Sequence, residues 1–267
     1  MNKKIGFIGA GNMATAIISG LLRNKVALPK DINVFDVNAS QLNLIAEKGV
    51  IAKKSADEVV KDSSIIVLAV KPQNYEEVLL GIKSVVDEEK IFVSIAAGIS
   101  ISYVRNVLEC NCPMVRVMPN TPLLLGKGAT ALCPSENINK DDFSIVKDMF
   151  ALNGTVEIFT EDHMNEIIAV NGSSPAYVYL FAKAMADYAK ECGIDYNSAL
   201  NLIAATLEGS AAMLKESGDD PDTLIKKVSS PGGTTIAALG ALEEYKFYEG
   251  IKKAMTACTN RAEELGK

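Results

Sequence analysis

The chain has 267 residues, 48% of them hydrophobic and 22% charged, with a formal net charge of −6. This suits a soluble globular protein of one large domain or two smaller ones, and the acidic balance excludes the Lys- and Arg-driven binding of DNA or RNA. No apolar run reaches the roughly 20 residues that span a bilayer, and "MNKKIGFIGAG" runs straight into glycines without a signal-peptide core, so a cytoplasmic location with no nucleic-acid or membrane partner is expected.

In chain order, "KKIGFIGAG" is a short apolar strand ending in glycines, and "NMATAIISGLLRN" has helical spacing with Met13, Ile17 and Leu21 on one side. "DINVFDVN" predicts a second strand and "ASQLNLIAEKG" a second helix. "SSIIVLAVKP" is nearly continuous in apolar residues, as in a strand buried on both faces. Helix "NYEEVLLGIKSVV", strand "KIFVSIAAG", helix "SISYVRNVL" and a fifth strand "PMVRVMPN" follow. This alternation predicts a doubly wound parallel sheet with helices on both faces.

After about Thr160 no convincing strand recurs. "EDHMNEIIAVNGSSPAYVYLFAKAMADYAKECG" reads as one long helix, or as two joined near Gly172–Pro175. "DYNSALNLIAATLEGSAAMLKESG", the short "DPDTLIKKV", "TTIAALGALEEYKF" and "YEGIKKAMTACTNRAEELG" complete a helical half. The expected domains are therefore residues 1–160, α/β, and residues 161–267, all helical. "IIAVNGSSPAYVYLFAKAMA" is apolar most of the way round, and such a helix must be buried. The helical half is accordingly expected to pack against a second copy of itself.

The cysteines, Cys110, Cys112, Cys133, Cys192 and Cys258, are odd in number and scattered. The C-x-C of "ECNCP" has no second Cys or His pair nearby, so reduced thiols and no metal are expected. His163 is the single histidine, and no hydrolase triad can be built around it; it reads as a surface or boundary residue.

Gly9-Ala10-Gly11-Asn12-Met13-Ala14 fits G-x-G-x-x-A between a strand and a helix, the context that marks a Rossmann-type dinucleotide site. Gly9 allows the tight turn, Gly11 lets the backbone approach a pyrophosphate, and Ala14 keeps the helix close to the sheet. Asp36 ends the second strand, where an acid holds the ribose 2′-hydroxyl of NAD and repels a 2′-phosphate. Ala69-Val70-Lys71-Pro72 and Ala96-Ala97-Gly98 end the third and fourth strands, where α/β sheets bind their ligands. Lys71 offers a phosphate or substrate contact there, or simply faces water. "MPNTP" ends the fifth strand and presents Asn120 and Thr121 to the cleft. "VSSPGGTTIAALGALEE", residues 228–244, sets a turn-prone Ser-Ser-Pro-Gly-Gly before a helix, whose free N–H groups and dipole suit an anion.

With these motifs together, the chain resembles the pyrroline-5-carboxylate reductase family essentially end to end. The likeness is carried by "IGFIGAGNMA", "AVKP", "SIAAGISI", "MPNTP", "NGSSPAYVYLFAKAMAD" and above all "VSSPGGTTIAALGALEE". β-Hydroxyacid dehydrogenases share the first motif and a helical second domain but lack the last. The resemblance implies hydride transfer from NAD(P)H to the C=N carbon of 1-pyrroline-5-carboxylate, giving L-proline in the last step of proline synthesis. It implies helical domains interleaved in a homodimer, some members assembling further into decamers. It places the 228–244 loop at the substrate: backbone N–H groups of Gly232, Gly233 and Thr234 on the carboxylate, Ser230 adding a hydroxyl, Asn120 nearby, and Thr235 on the ring nitrogen. Many members carry a small polar residue in place of Asp36 and prefer NADPH, whereas Asp36 favours NADH. Two competing readings are a reductase of another imine or β-hydroxyacid, and a dinucleotide-sensing protein without turnover.

Overall fold

The computed structural model describes residues 3–266. It contains two compact units, one running to Ser173 and taking back the chain from Thr256 onward, the other Ser174–Met255.

The first unit is built on an eight-stranded sheet: β1 (Ile5–Ile8), β2 (Ile32–Phe35), β3 (Ile51–Ala52), β4 (Ile65–Leu68), β5 (Ile91–Ser94), β6 (Met114–Met118), β7 (Gly128–Pro134) and β8 (Gly154–Ile158). The order is β3-β2-β1-β4-β5-β6-β7-β8. From β3 to β6 all pairs are parallel, and the order reverses between β1 and β4, the place where such sheets open a ligand crevice.

The alternation of side chains explains the layers. Ile5, Phe7, Ile65, Val67, Ile91 and Val93 point to one face. There they meet Ile17 and Leu21 of α1 (Asn12–Arg23) and, further along, Val146 and Phe150 of α6 (Lys140–Ala151), while α2 (Ala39–Ala46) adds Ile45. Ile8, Ile66, Leu68 and Phe92 point to the other face. Val59 and Val60 of α3 (Ala56–Lys61), Leu79 and Ile82 of α4 (Tyr75–Ile82), and Val104 and Leu108 of α5 (Ile101–Leu108) cover it. Strands covered twice are apolar at nearly every position, hence their continuous runs, and the buried exceptions Asn33 and Ser94 are hydrogen-bonded.

Three strands and two helices go beyond the sequence reading. β3 is a two-residue edge, α3 a six-residue helix, and α6 a twelve-residue helix between β7 and β8. β7 is folded back antiparallel to β6 by the 3-10 turn Thr121–Leu125, and β8 runs parallel to β7, so these two strands oppose the other six.

The segment expected as one or two helices is broken. After the 3-10 turn Glu161–His163 come α7 (Met164–Ile167), a π-helical turn at Ile168–Gly172, and then α8 (Ser174–Glu191). The change from α/β to helical structure follows β8, near residue 160, but the compact first unit extends to Ser173. The reason is local. Met164, Ile168 and Ala169 are buried, and the Asn171 side-chain amide donates to the carbonyls of Met118 (2.8 Å) and Ala129 (2.9 Å).

The second unit holds α8, α9 (Tyr196–Glu216), α10 (Pro221–Lys227), α11 (Thr234–Glu244) and the first half of α12 (Phe247–Leu265). Asp195 caps α9, its Oδ1 accepting from the Ser198 N–H at 2.8 Å. Few side chains here are buried, chiefly Ala186, Ala189, Ala199 and Ile203. Leu202 and Tyr248 are each 72% exposed and Tyr245 86%. So much apolar surface on one unit marks an interaction face. Among the described residues no helix is long and apolar enough to cross a membrane.

Two helical glycines make a paired test. A Cβ on Gly20, in α1, would lie 2.4 Å from Oδ1 of Asn153, a fully buried side chain held by Arg23 (2.9 Å) and Asn24 (3.1 Å). Gly81, in α4, has open space around it. Alanine improves helix propensity at both by up to about 1 kcal/mol. At Gly20 displacing a buried polar network costs about 1–3 kcal/mol and wins. Gly20→Ala is therefore expected to lower the free energy of unfolding and Gly81→Ala to raise it, as read by urea denaturation. A Gly20→Ala protein as stable as the parent would show that Asn153 moves freely.

Candidate functional site

The dinucleotide motif folds as its spacing requires. Gly9 has φ +104°, and a Cβ there would sit 2.6 Å from the Ala69 carbonyl oxygen, so the end of β1 passes against the end of β4. Its N–H donates to the Phe35 carbonyl at 2.8 Å, tying the turn to β2. Gly11 is the opposite case: nothing lies within 4 Å of where its Cβ would stand. That empty space lies at the start of α1, which has Gly11 as N-cap, no side-chain cap and no acid in its first turn. The free N–H groups and the dipole there fit a diphosphate. Asn12 is exposed beside them, Met13 packs partly into the core, and Ala14 is buried against the sheet.

Asp36 stands at the end of β2 with its carboxylate turned to this loop. One oxygen accepts from the Ala10 N–H (2.6 Å), the other from the Asn38 N–H (2.7 Å). Asn38 in turn caps α2. A fixed negative charge therefore sits where the adenosine ribose of a dinucleotide lies. Ala69 and Val70 are half-buried, Lys71 is exposed, and Pro72 opens a 3-10 turn toward α4. Ala96 is buried and Ala97 half-buried at the end of β5. These residues form a set with the open α1 start that fits NAD(P)H.

The 228–244 stretch folds as a turn into α11. Ser230, Pro231, Gly232 and Gly233 form it, with the Gly233 N–H donating to the Ser230 carbonyl at 2.9 Å and Gly232 at φ +69°. Pro at the second place and a positive-φ glycine at the third are the pattern of a type II turn. Gly233 is the N-cap of α11 and brings no side chain to it. The first-turn N–H groups of Thr234, Thr235 and Ile236 are thus left for a ligand. Ser230 and Thr234 are exposed, Thr235 is half-buried, and the Ser230 hydroxyl lies over the Gly233 Cα, 2.6 Å from where a Cβ would be.

Three residues behave differently from the sequence reading. The Gly233 amide, expected on a carboxylate, is used inside the turn, and the free donors shift one place along to include Ile236. Asn120, expected near substrate, is buried and committed to the fold: its Oδ1 accepts from the Ala129 N–H (2.9 Å) and its Nδ2 donates to the Asn171 carbonyl (3.1 Å). Gly98, expected at the cofactor, has a packing reason to be glycine, since a Cβ would lie 2.4 Å from the Ala262 carbonyl of α12. Asn171, in "NGSSPAY", carries no local signal of its role, because the carbonyls it joins, Met118 of β6 and Ala129 of β7, become neighbours only in the sheet.

His163 is exposed at the end of its 3-10 turn. All five cysteines are free. Burial pushes the Cys112 thiol up to about 12 and that of Cys133 up to about 11, so both stay protonated and unreactive near neutral pH. Among the described residues no three His, Cys, Asp or Glu side chains are grouped to hold a metal ion.

The chain is similar to known proteins over its whole length. Residues 161–265 match the family model for pyrroline-5-carboxylate reductase dimerisation, and residues 4–98 match that for NADP oxidoreductase, coenzyme F420-dependent. The pyrroline-5-carboxylate reductase of Escherichia coli K12 is 38% identical over 268 residues, covering all of both chains. That of Methanosarcina acetivorans is 36% identical, covering all of this chain and 99% of the relative. The crystal structure of the Plasmodium falciparum enzyme with NADP bound superposes with a TM-score of 0.92 at 29% identity, covering 100% of this chain and 99% of the other. With a bare helix start on the dinucleotide sheet, a second one in the helical unit, and likeness over its whole length, the chain belongs to the pyrroline-5-carboxylate reductase family.

Proposed function

We propose that this protein reduces 1-pyrroline-5-carboxylate to L-proline with NAD(P)H, and that the turn at Ser230–Gly233 and the start of α11 hold the substrate. The observation that carries the substrate assignment is the uncapped N-terminus of α11 behind a glycine turn. The substrate is a carboxylate with a ring imine, and a helix start suits its anionic end. The amides of Gly232, Thr234, Thr235 and Ile236 are the donors for the carboxylate, with the Ser230 hydroxyl beside them. The Thr235 hydroxyl, half-buried in the first turn of α11, is assigned to the ring nitrogen.

The reduced nicotinamide supplies hydride to the C=N carbon. What the protein adds is orientation. A cyclic imine takes a proton readily from water, so a strong general acid is not required, and holding the ring in one pose does most of the catalysis. In the first unit, the start of α1 holds the diphosphate and Asp36 faces the adenosine ribose. The minimal unit in this reading is a homodimer, with the decamer of some relatives as a larger alternative. Five free thiols support a reducing, cytoplasmic location.

Three measurements test the reading. Light scattering at micromolar concentration is expected to show a dimer or larger; a stable, active monomer would contradict the role given to the exposed apolar face. Asp36→Ser is expected to raise kcat/KM with NADPH relative to NADH, because it removes a charge that opposes the 2′-phosphate. An unchanged ratio would place Asp36 away from the ribose. Thr235→Ala is expected to lower kcat/KM for pyrroline-5-carboxylate about ten- to a hundredfold, the worth of a hydrogen bond to a group gaining charge. Thr235→Ser is expected to keep most of the activity, and NAD(P)H affinity to hold in both. Equal activity in Thr235→Ala and the parent would remove Thr235 from the site.

A further inference from the structure

Tyr75 opens α4, three residues after Pro72, and its side chain is buried in the core on the sheet face of Ile8, Ile66, Leu68 and Phe92. It is 1% exposed, among the largest fully buried side chains of the protein. Its hydroxyl lies 2.9 Å from the Leu68 carbonyl oxygen and 3.0 Å from the Ser94 Oγ. Leu68 and Ser94 are the last paired residues of β4 and β5, directly across from each other. Beyond them the chains part, one into Ala69-Val70-Lys71-Pro72 and the other into Ile95-Ala96-Ala97-Gly98. The sheet bond at the parting point, from the Ile95 N–H to the Leu68 carbonyl, is long at 3.4 Å. The phenol therefore bridges the strands where their own ladder weakens.

The direction of the chain follows from the groups. A carbonyl only accepts, so the phenol proton goes to Leu68, and the Ser94 hydroxyl must donate to the phenol oxygen. Burial pushes the phenol well above its ordinary range, so it keeps its proton and the relay has a single state. A tyrosine buried here for packing alone would do as well as phenylalanine. Its hydroxyl is instead engaged at both strand ends, under the two segments assigned to the dinucleotide.

We propose that Tyr75 and Ser94 act as a positioning pair that sets the spacing of the Ala69–Pro72 and Ala96–Gly98 segments, and so the affinity for the dinucleotide. This rests on the reading that NAD(P)H lies on those segments. Because the pair is at the strand ends and not at the ribose acid Asp36, it acts on NADH and NADPH alike.

The test is direct binding of NADH and NADPH to the full-length protein, followed by nicotinamide fluorescence, alongside unfolding midpoints. Tyr75→Phe is expected to weaken both dinucleotides about three- to tenfold, the worth of one neutral hydrogen bond, leaving the NADPH-to-NADH ratio unchanged. Ser94→Ala is expected to move the same way, and the double variant to lose little more than the larger single, since the two share one relay. Ser94→Thr, which keeps the hydroxyl, is expected to restore binding. Parent-like binding in the variants with only a lowered unfolding midpoint would overturn the proposal and leave a purely structural role. If Tyr75→Phe does not fold, Ser94→Ala decides alone by the same criterion. A parent protein that binds neither dinucleotide would overturn the functional reading and this proposal together.

Discussion

Both proposed ligand sites depend on a helix start left bare. Of the helices whose N-caps are defined, only α1 and α11 begin on glycine, at Gly11 and Gly233. Five other helices take a side-chain cap, Asn38 on α2, Ser100 on α5, Asn139 on α6, Asp195 on α9 and Asp220 on α10, whereas Ser55, Asn74 and His163 precede α3, α4 and α7 without a cap bond but keep a side chain at the helix start. Glycine gives up only a few tenths of a kcal/mol against Ser or Asn at an N-cap. The loss is small, and it leaves several N–H donors and the positive end of a dipole unscreened. A side-chain cap at either place would satisfy those donors and fill the space an anion needs. Each bare start is set by a positive-φ glycine shortly before it, Gly9 at +104° and Gly232 at +69°.

How much of this is legible in the sequence depends on how each element is buried. β1, β4 and β5 are covered on both faces, so their apolar runs stand out. β8 leaves Thr155, Glu157 and Ile158 exposed, β3 exposes both its residues, and β7 is built largely of small residues; none of them has a clear period. The site divides the same way. The glycines at 9, 11 and 232 are readable because each does a backbone job that follows from its neighbours. Gly98 carries the same letter in a similar place, yet its constraint comes from α12, more than 160 residues on, which no local pattern encodes. Asn120 is the converse. A polar residue at a strand end looks available to a ligand until β7 and the π-helical turn supply its partners.

The helical unit poses a different constraint. Its buried set is mostly alanine, while Leu180, Tyr188, Leu202 and Tyr248 stand 68–72% exposed. Burying a large apolar side chain contributes about 1.5–3 kcal/mol, so leaving many in water forgoes stability on the scale of a whole domain, 5–15 kcal/mol. A unit of this composition is stable when another surface covers it, which agrees with the dimerisation family model matching residues 161–265. The sequence expressed this as helices apolar on more than one face, a pattern that has no solution within so short a stretch.

The turn proposed for the substrate and the start of α11 contain no residue that titrates near neutral pH: Ser230, Pro231, Gly232, Gly233, Thr234 and Thr235 offer hydroxyls and amides alone. Such a set cannot trade protons with the substrate as a His or a carboxylate can, but it holds its pattern of partial charges over a wide pH range. That suits reduction of an imine, whose nitrogen has the proton affinity that a carbonyl oxygen lacks. A β-hydroxyacid dehydrogenase must stabilise an alkoxide and needs a cationic or acidic partner for it. The neutrality of the turn thus carries chemical information of its own. Fixed dipoles at a bare helix start are enough when the substrate brings its own charge, proton and electrophilic carbon, and they leave the hydride as the one component still to be supplied.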